Sequence, residues 1–243
     1  MTGKTTWVLV FVLAVTVAVR AQDAPIPSPP PATSAPSQEA SDADIAGKPK
    51  AKVRDYEKWQ VNVGGGASLP GGTTHTYVRG GGGVASVGVA RNANKYIGLK
   101  AEFWWENLPL RSSALELAQA SSATSGVYVV TLGPVFNIPV TSKYSGYFVA
   151  GPSFDHRYGT LNSSTIPPGS ACGGFFSWWT YCPISLPSDF AKTSQNQLGV
   201  NLGGGIARKI GKKAELYIDW RYQHASHNKV PTDNKPITIG VRW

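Results

Sequence analysis

The sequence predicts an all-β fold: an eight-stranded antiparallel up-and-down transmembrane β-barrel with a disordered N-terminal segment. Three observations predict it. The closing segment Lys235-Pro236-Ile237-Thr238-Ile239-Gly240-Val241-Arg242-Trp243 alternates apolar residues with polar or small ones and stops on an aromatic. A period of two puts Ile237, Ile239, Val241 and Trp243 on one face, and an aromatic left bare on such a face suits lipid better than water. Upstream, most of the alternating runs exceed the ~5–6 residues of a soluble strand and match the ~9–11 that cross a membrane. The connections between runs alternate between short and long, as periplasmic turns and outer loops do.

Residues 1–21 read as a signal peptide. Lys4 supplies a positive start, and Trp7 to Val19 is almost wholly apolar. That run is too short for a membrane helix, which needs about 20 residues, and Val19 and Ala21 suit the −3 and −1 positions of a cleavage site. Cleavage after Ala24 fits as well, and no Cys stands nearby to carry a lipid anchor. Residues 22–55 read as a Pro/Ala/Ser-rich periplasmic linker, typified by Pro25-Ile26-Pro27-Ser28-Pro29-Pro30-Pro31. It has too little apolar surface to offset the entropy of ordering.

Residues 56–243 read as the outer-membrane barrel domain, with strands at 59–68, 82–92, 96–107, 126–137, 144–157, 195–209, 213–225 and 235–243. The short links are 92–95, 138–143 and 210–212; the long ones are 69–81, 108–125, 158–194 and 226–234. A helical turn or two is expected at 113–119. An even strand count puts both termini in the periplasm.

The faces of these strands set the orientation. In the seventh, Ala214, Leu216, Ile218, Trp220 and Tyr222 oppose Glu215, Tyr217, Asp219 and Arg221. In the third, Ile97, Leu99, Ala101, Phe103 and Trp105 oppose Gly98, Lys100, Glu102 and Trp104. The polar faces mix both charge signs with Gly, which suits a tight interior. The apolar faces carry aromatics near strand ends, where lipid headgroups lie. The barrel is therefore read as inside-out. Lys100, Glu102, Asp155, Glu215, Asp219, Arg221 and Arg242 are expected to point into the lumen and pair, because an unpaired buried charge costs several kcal/mol. Eight strands leave room for little but side chains, so a plugged lumen is expected; a narrow ion-conducting channel is the alternative.

The formal net charge is +9, and loss of Lys4 and Arg20 with the signal lowers it by two, to +7. The charge is dispersed and no recognition helix is present, which argues against nucleic acid and for an anionic lipid or lipopolysaccharide surface. The glycine runs 64–66 and 80–83 lack the Lys-Ser/Thr of a phosphate loop. His75, His156 and His227 lack ligand spacing, so neither a metal nor a cofactor is expected. Cys172 and Cys182 lie in the longest outer loop and are expected to form a disulfide, as exported proteins allow. It would constrain the tip Phe175-Phe176-Ser177-Trp178-Trp179-Thr180-Tyr181, either as a contact site for a surface ligand in loop 158–194 or folded against the rim.

Gly203-Gly204-Gly205-Ile206-Ala207, the run Glu215-Leu216-Tyr217-Ile218-Asp219-Trp220-Arg221-Tyr222 and the closing Trp243 resemble the small outer-membrane barrels of the OmpA/OmpX type, over residues 56–243. The resemblance implies a porin-like architecture in the cell outer membrane of a Gram-negative-type bacterium. It further implies a last strand read by the barrel assembly machinery through Ile237, Ile239, Val241 and Trp243, and a structural or cell-surface role without catalysis. One local motif points elsewhere. His224-Ala225-Ser226 resembles the His-x-Ser of the outer-membrane lipid A 3-O-deacylases, in which the His is base to the Ser hydroxyl and an acid orients the His. That family's Glu, at the start of the last strand, has no counterpart: Thr238 stands in that region, and Asp233 is the nearby carboxylate, expected from a loop.

Overall fold

The computed structural model describes residues 56–163, 173–180, 190–211, 213–227 and 230–243. The expected signal peptide, the whole of the 22–55 linker, and both Cys172 and Cys182 lie outside the described residues. The strands are β1 (Trp59–Pro70), β2 (Gly82–Asn92), β3 (Ile97–Asn107), β4 (Ala123–Pro139), β5 (Tyr144–Leu161), β6 (Lys192–Lys209), β7 (Glu215–His227) and β8 (Val230–Arg242). Each pairs antiparallel with the next, and β8 closes on β1. The eight-stranded up-and-down barrel expected from the alternation is therefore the fold.

The register gives the tilt. Gln60 stands opposite Ala90, Ala90 opposite Lys100, and Lys100 opposite Gly133. Gly133 lies against Gly151, which pairs with Asn201, and the circuit continues through Gln223 and Asn234. Asn234 meets Pro70, ten residues along β1 from the starting point at Gln60. Eight strands with that stagger tilt by about 40°.

Outward positions form a continuous apolar belt. Val63, Leu99, Val130, Leu132, Phe148, Val200, Ile206, Ile218 and Ile239 are all exposed. A soluble protein rarely exposes an apolar patch of more than a few hundred Å². Aromatic rims bound the belt. At the short-turn end, Arg91 lies over Trp59, Lys95 over Tyr96 and Arg208 over Tyr144. At the other end Tyr128 stacks on Tyr158 and near His156, and the Trp105 indole donates to the Tyr158 hydroxyl at 3.0 Å. From Tyr144 to His156 is twelve residues along β5, which at this tilt rises about 30 Å, the thickness of a bilayer core.

The strands run past the upper rim, and three short helices cap them: α1 (Gly72–Tyr77), α2 (Ser112–Leu117) and α3 (Gly174–Thr180). The helical turn expected at 113–119 is α2; α1 and α3 stand where only loop was read.

Candidate functional site

Two arrangements carry chemistry: the inward-facing polar groups and a pair on the outer surface. Inward, Lys100 Nζ lies 2.7 Å from Glu102 Oε1, and Arg221 Nη2 lies 2.8 Å from Glu102 Oε2. Arg221 also grips both oxygens of Asp219 through Nε, at 2.9 and 3.0 Å. Its guanidinium thus joins β7 to β3 across the bore, with the Trp104 ring 5.5 Å away. Lower down, Arg242 Nε donates to Glu215 Oε2 at 2.7 Å and Nη2 to Ser145 Oγ at 3.0 Å, above the Tyr147 ring. Lys100, Glu102, Glu215, Asp219, Arg221 and Arg242 are all buried.

Asp155 differs. It points inward and is buried, yet among the described residues it makes no ion pair. The cation two positions on, Arg157, turns upward instead: Nη2 donates to the carbonyls of Trp178 and Trp179 and to Gln195 Oε1. Sequence reasoning passed over two inward charges, Arg157 and Glu106. Glu106, fully buried, accepts from the Ser68 hydroxyl at 2.6 Å. Parity was the available signal, since Glu106 shares a face with Glu102 and Arg157 with Asp155.

The upper bore holds an apolar cluster, above the charged and Gly-rich interior expected from the strand faces. Phe175, Phe176, Trp178 and Trp179 of α3 are buried against inward-facing Val84, Trp104, Val127, Val129 and Leu161. Trp178 stacks under the Arg157 guanidinium at 4.3 Å. Thr193 Oγ1 and Gln195 Nε2 both donate to the Trp179 carbonyl, which fixes the end of the helix. The α3 aromatics and Phe190 are therefore packed into the barrel mouth and present no exposed ring for a surface ligand, while Tyr158 belongs to the outer aromatic rim.

On the outside, β8 begins at Val230, so Asp233 is a strand residue opposite His224 and not a loop residue as the sequence suggested. The His224 ring Nδ1 lies 2.6 Å from Asp233 Oδ1. An ionised carboxylate only accepts, so Nδ1 carries the proton and a neutral ring keeps its Nε2 lone pair for another donor. The Tyr222 hydroxyl donates to the same carboxylate oxygen at 3.3 Å. The Asp233 backbone is clamped from α1: its N–H donates to the Thr74 hydroxyl at 2.9 Å, and the Gly71 N–H donates to its carbonyl at 2.9 Å. Gly72, at φ +46°, passes so close that a Cβ would strike the Asp233 carboxylate. The Asp233 side chain is 11 % exposed and that of His224 42 %, so a shielded acid backs an accessible imidazole. Ser226 lies two positions along the same face of β7, opposite Leu198 and Pro231.

At the closing edge, Ile237, Ile239 and Trp243 are exposed on the outward face, and Trp243 exchanges backbone hydrogen bonds with Val61. Among the described residues no group of three or more His, Cys, Asp or Glu could hold a metal ion. No helix among them is long and apolar enough to cross a membrane.

No protein-family model matches the chain, and no curated protein matches it. Solved structures do. Neisserial surface protein A is 11% identical with a TM-score of 0.51, covering 76% of this chain and 96% of that one. A major outer membrane protein from Thermus thermophilus is 13% identical with a TM-score of 0.49, covering 77% and 99%. Ail, the attachment invasion locus protein of Yersinia pestis, is 13% identical with a TM-score of 0.44, covering 77% and 100%. The chain has the fold of the small eight-stranded outer-membrane barrels.

Proposed function

We propose that this chain is an outer-membrane barrel with a closed bore, whose work is done at its outer surface as a structural and surface-interaction protein. The observation that carries the closed bore is Arg221, fully buried and tied at once to Asp219 on its own strand and Glu102 across the lumen. Above it, the α3 aromatics fill the remaining width. The belt of about 30 Å between aromatic rims and the fold shared with a neisserial surface protein support the membrane placement. In this reading the termini are periplasmic, and lipid and lipopolysaccharide surround the belt. The assembly machinery reads the Ile237–Trp243 edge, and Cys172 and Cys182 are joined. Expression in a Gram-negative host tests the placement: the protein should fractionate with the outer membrane and shift mobility on heating in detergent. Recovery from the soluble periplasm would reject it. Intact mass before and after reduction reports the disulfide directly.

One observation favours a second reading, ester hydrolysis at the outer surface. Asp233, His224 and Ser226 stand in the roles of acid, base and nucleophile. The His224–Asp233 contact fixes the tautomer that leaves Nε2 free to take the Ser226 proton. His224 and Ser226 are about 7 Å apart along the strand, a span an imidazole bridges. Their neighbours Leu198 and Val200 are exposed and apolar, which suits an acyl chain. This is the lipid A 3-O-deacylase-like chemistry suggested by the motif, with Asp233 in place of the missing Glu. Mass spectrometry of lipid A from cells with and without the protein tests it. Loss of a 3-linked acyl chain, abolished by Ser226→Ala and reduced about 10⁴-fold by Asp233→Asn, is the expected result; an unchanged acylation pattern sinks this reading and leaves the first intact.

A further inference from the structure

At the short-turn end the bore opens as a funnel of about 650 Å³ including its mouth. Its lining includes Lys95, Lys209, Lys213 and Arg242 against the acids Glu57 and Glu215, four basic residues to two. Arg242 forms the floor, already committed to Glu215 and Ser145. The side wall carries an amide ladder: Asn137 Nδ2 donates to Asn92 Oδ1, and Asn92 Nδ2 donates to the Glu57 carbonyl. Tyr56, Pro139 and Trp243 give the mouth apolar edges.

We infer that this funnel is a binding site for a peptide bearing free carboxylates. Three features select that class. The excess charge is positive, so the ligand is anionic. Apart from Arg242, already paired with Glu215, the cations are lysines placed on three different segments (the β2–β3 turn, the end of β6 and the β6–β7 turn), each a separate ammonium point charge. Separated ammoniums fit separated carboxylates. The amide side chains between them match the donors and acceptors of a peptide backbone. The inference rests on the outer-membrane reading only for the source of the ligand: a funnel facing the periplasm meets the carboxylate-bearing stem peptides of the cell-wall polymer, or soluble acidic peptides.

Isothermal titration of the purified full chain in detergent tests this without reference to where the protein resides. The probes are a soluble disaccharide-tetrapeptide fragment of cell wall, an unrelated tetrapeptide with two free carboxylates, and inorganic phosphate. Binding of the cell-wall fragment, weakened by added salt and about tenfold by Lys209→Gln/Lys213→Gln, is expected. Lys95→Gln, on an exposed turn, should weaken it as well and serves if the double variant does not fold. Lys235→Gln at the opposite end should change nothing. Equal binding of the unrelated tetrapeptide assigns the source to soluble peptides and keeps the class. Absence of peptide binding, indifference to both lysine variants, or competition by phosphate at equal concentration overturns the inference. Fractionation, described above, fails or succeeds separately.

Discussion

At the scale of single residues, the burden falls on Arg221. Glu102 and Asp219 are both buried, and Arg221 is the cation they share, with Lys100 a second partner for Glu102. Removing one partner from such a group leaves uncompensated buried charge, which costs about 3–5 kcal/mol. Arg221→Met is therefore expected to lower the unfolding free energy by that amount, read as a lower denaturant midpoint at an unchanged slope. Arg221→Lys should recover only part of it, because one ammonium cannot reproduce the fork that reaches both carboxylates. A midpoint within experimental error of the parent would contradict the account. Most of this group was legible from parity alone, since Lys100, Glu102, Glu215, Asp219, Arg221 and Arg242 alternate with apolar neighbours. The inward face of Asp155 was legible too, but its want of an ion pair among the described residues was not: parity gives the face but not the height, and its neighbouring cation is drawn to the carbonyl ends of α3.

At the scale of elements, the strands within the apolar belt matched their sequence signals, and the parts that project beyond it did not. β8 starts at Val230, although Pro231, Asp233, Asn234 and Lys235 all disfavour strands. Above the belt, neither lipid nor water enforces alternation, and cross-strand pairing alone holds the ladder, so the sequence pattern fades while the strand continues. This is why Asp233 read as loop and its pairing with His224 was hidden. The helices α1 and α3 were missed for different reasons. Gly72-Thr73-Thr74-His75-Thr76-Tyr77 has little helical propensity, and α3 is buried on so many sides that it shows no amphipathic stripe. Glycine was the clearer signal inside the barrel: Gly64 leaves the space that the Tyr217 hydroxyl occupies, and a Cβ there would meet that hydroxyl and lie 3.1 Å from Ser86 Oγ. Gly64→Ala is expected to cost about 1–3 kcal/mol, much of it returned by adding Tyr217→Phe. Additive losses in that double-mutant cycle would show that the two side chains do not share the site.

At the scale of the whole molecule, an apolar exterior encloses a charged lower bore and an aromatic upper cluster. The proposed assembly signal lies in the closing strand. Trp243 ends the outward row of Ile237, Ile239 and Val241 and hydrogen-bonds to β1 at Val61. Deleting Trp243 is expected to reduce the heat-modifiable, assembled fraction in cells while leaving refolding in detergent largely intact; equal loss in both settings would make it a packing residue rather than a signal. The central claim, a barrel closed by Arg221 and α3, is tested most directly by conductance of the purified protein in planar bilayers. The account predicts an electrically silent membrane, with steps appearing only when Arg221 and the α3 aromatics are both replaced by small residues. Steady ion-selective conductance from the unaltered chain, shifted by substitutions at Glu102 or Arg242, would contradict it.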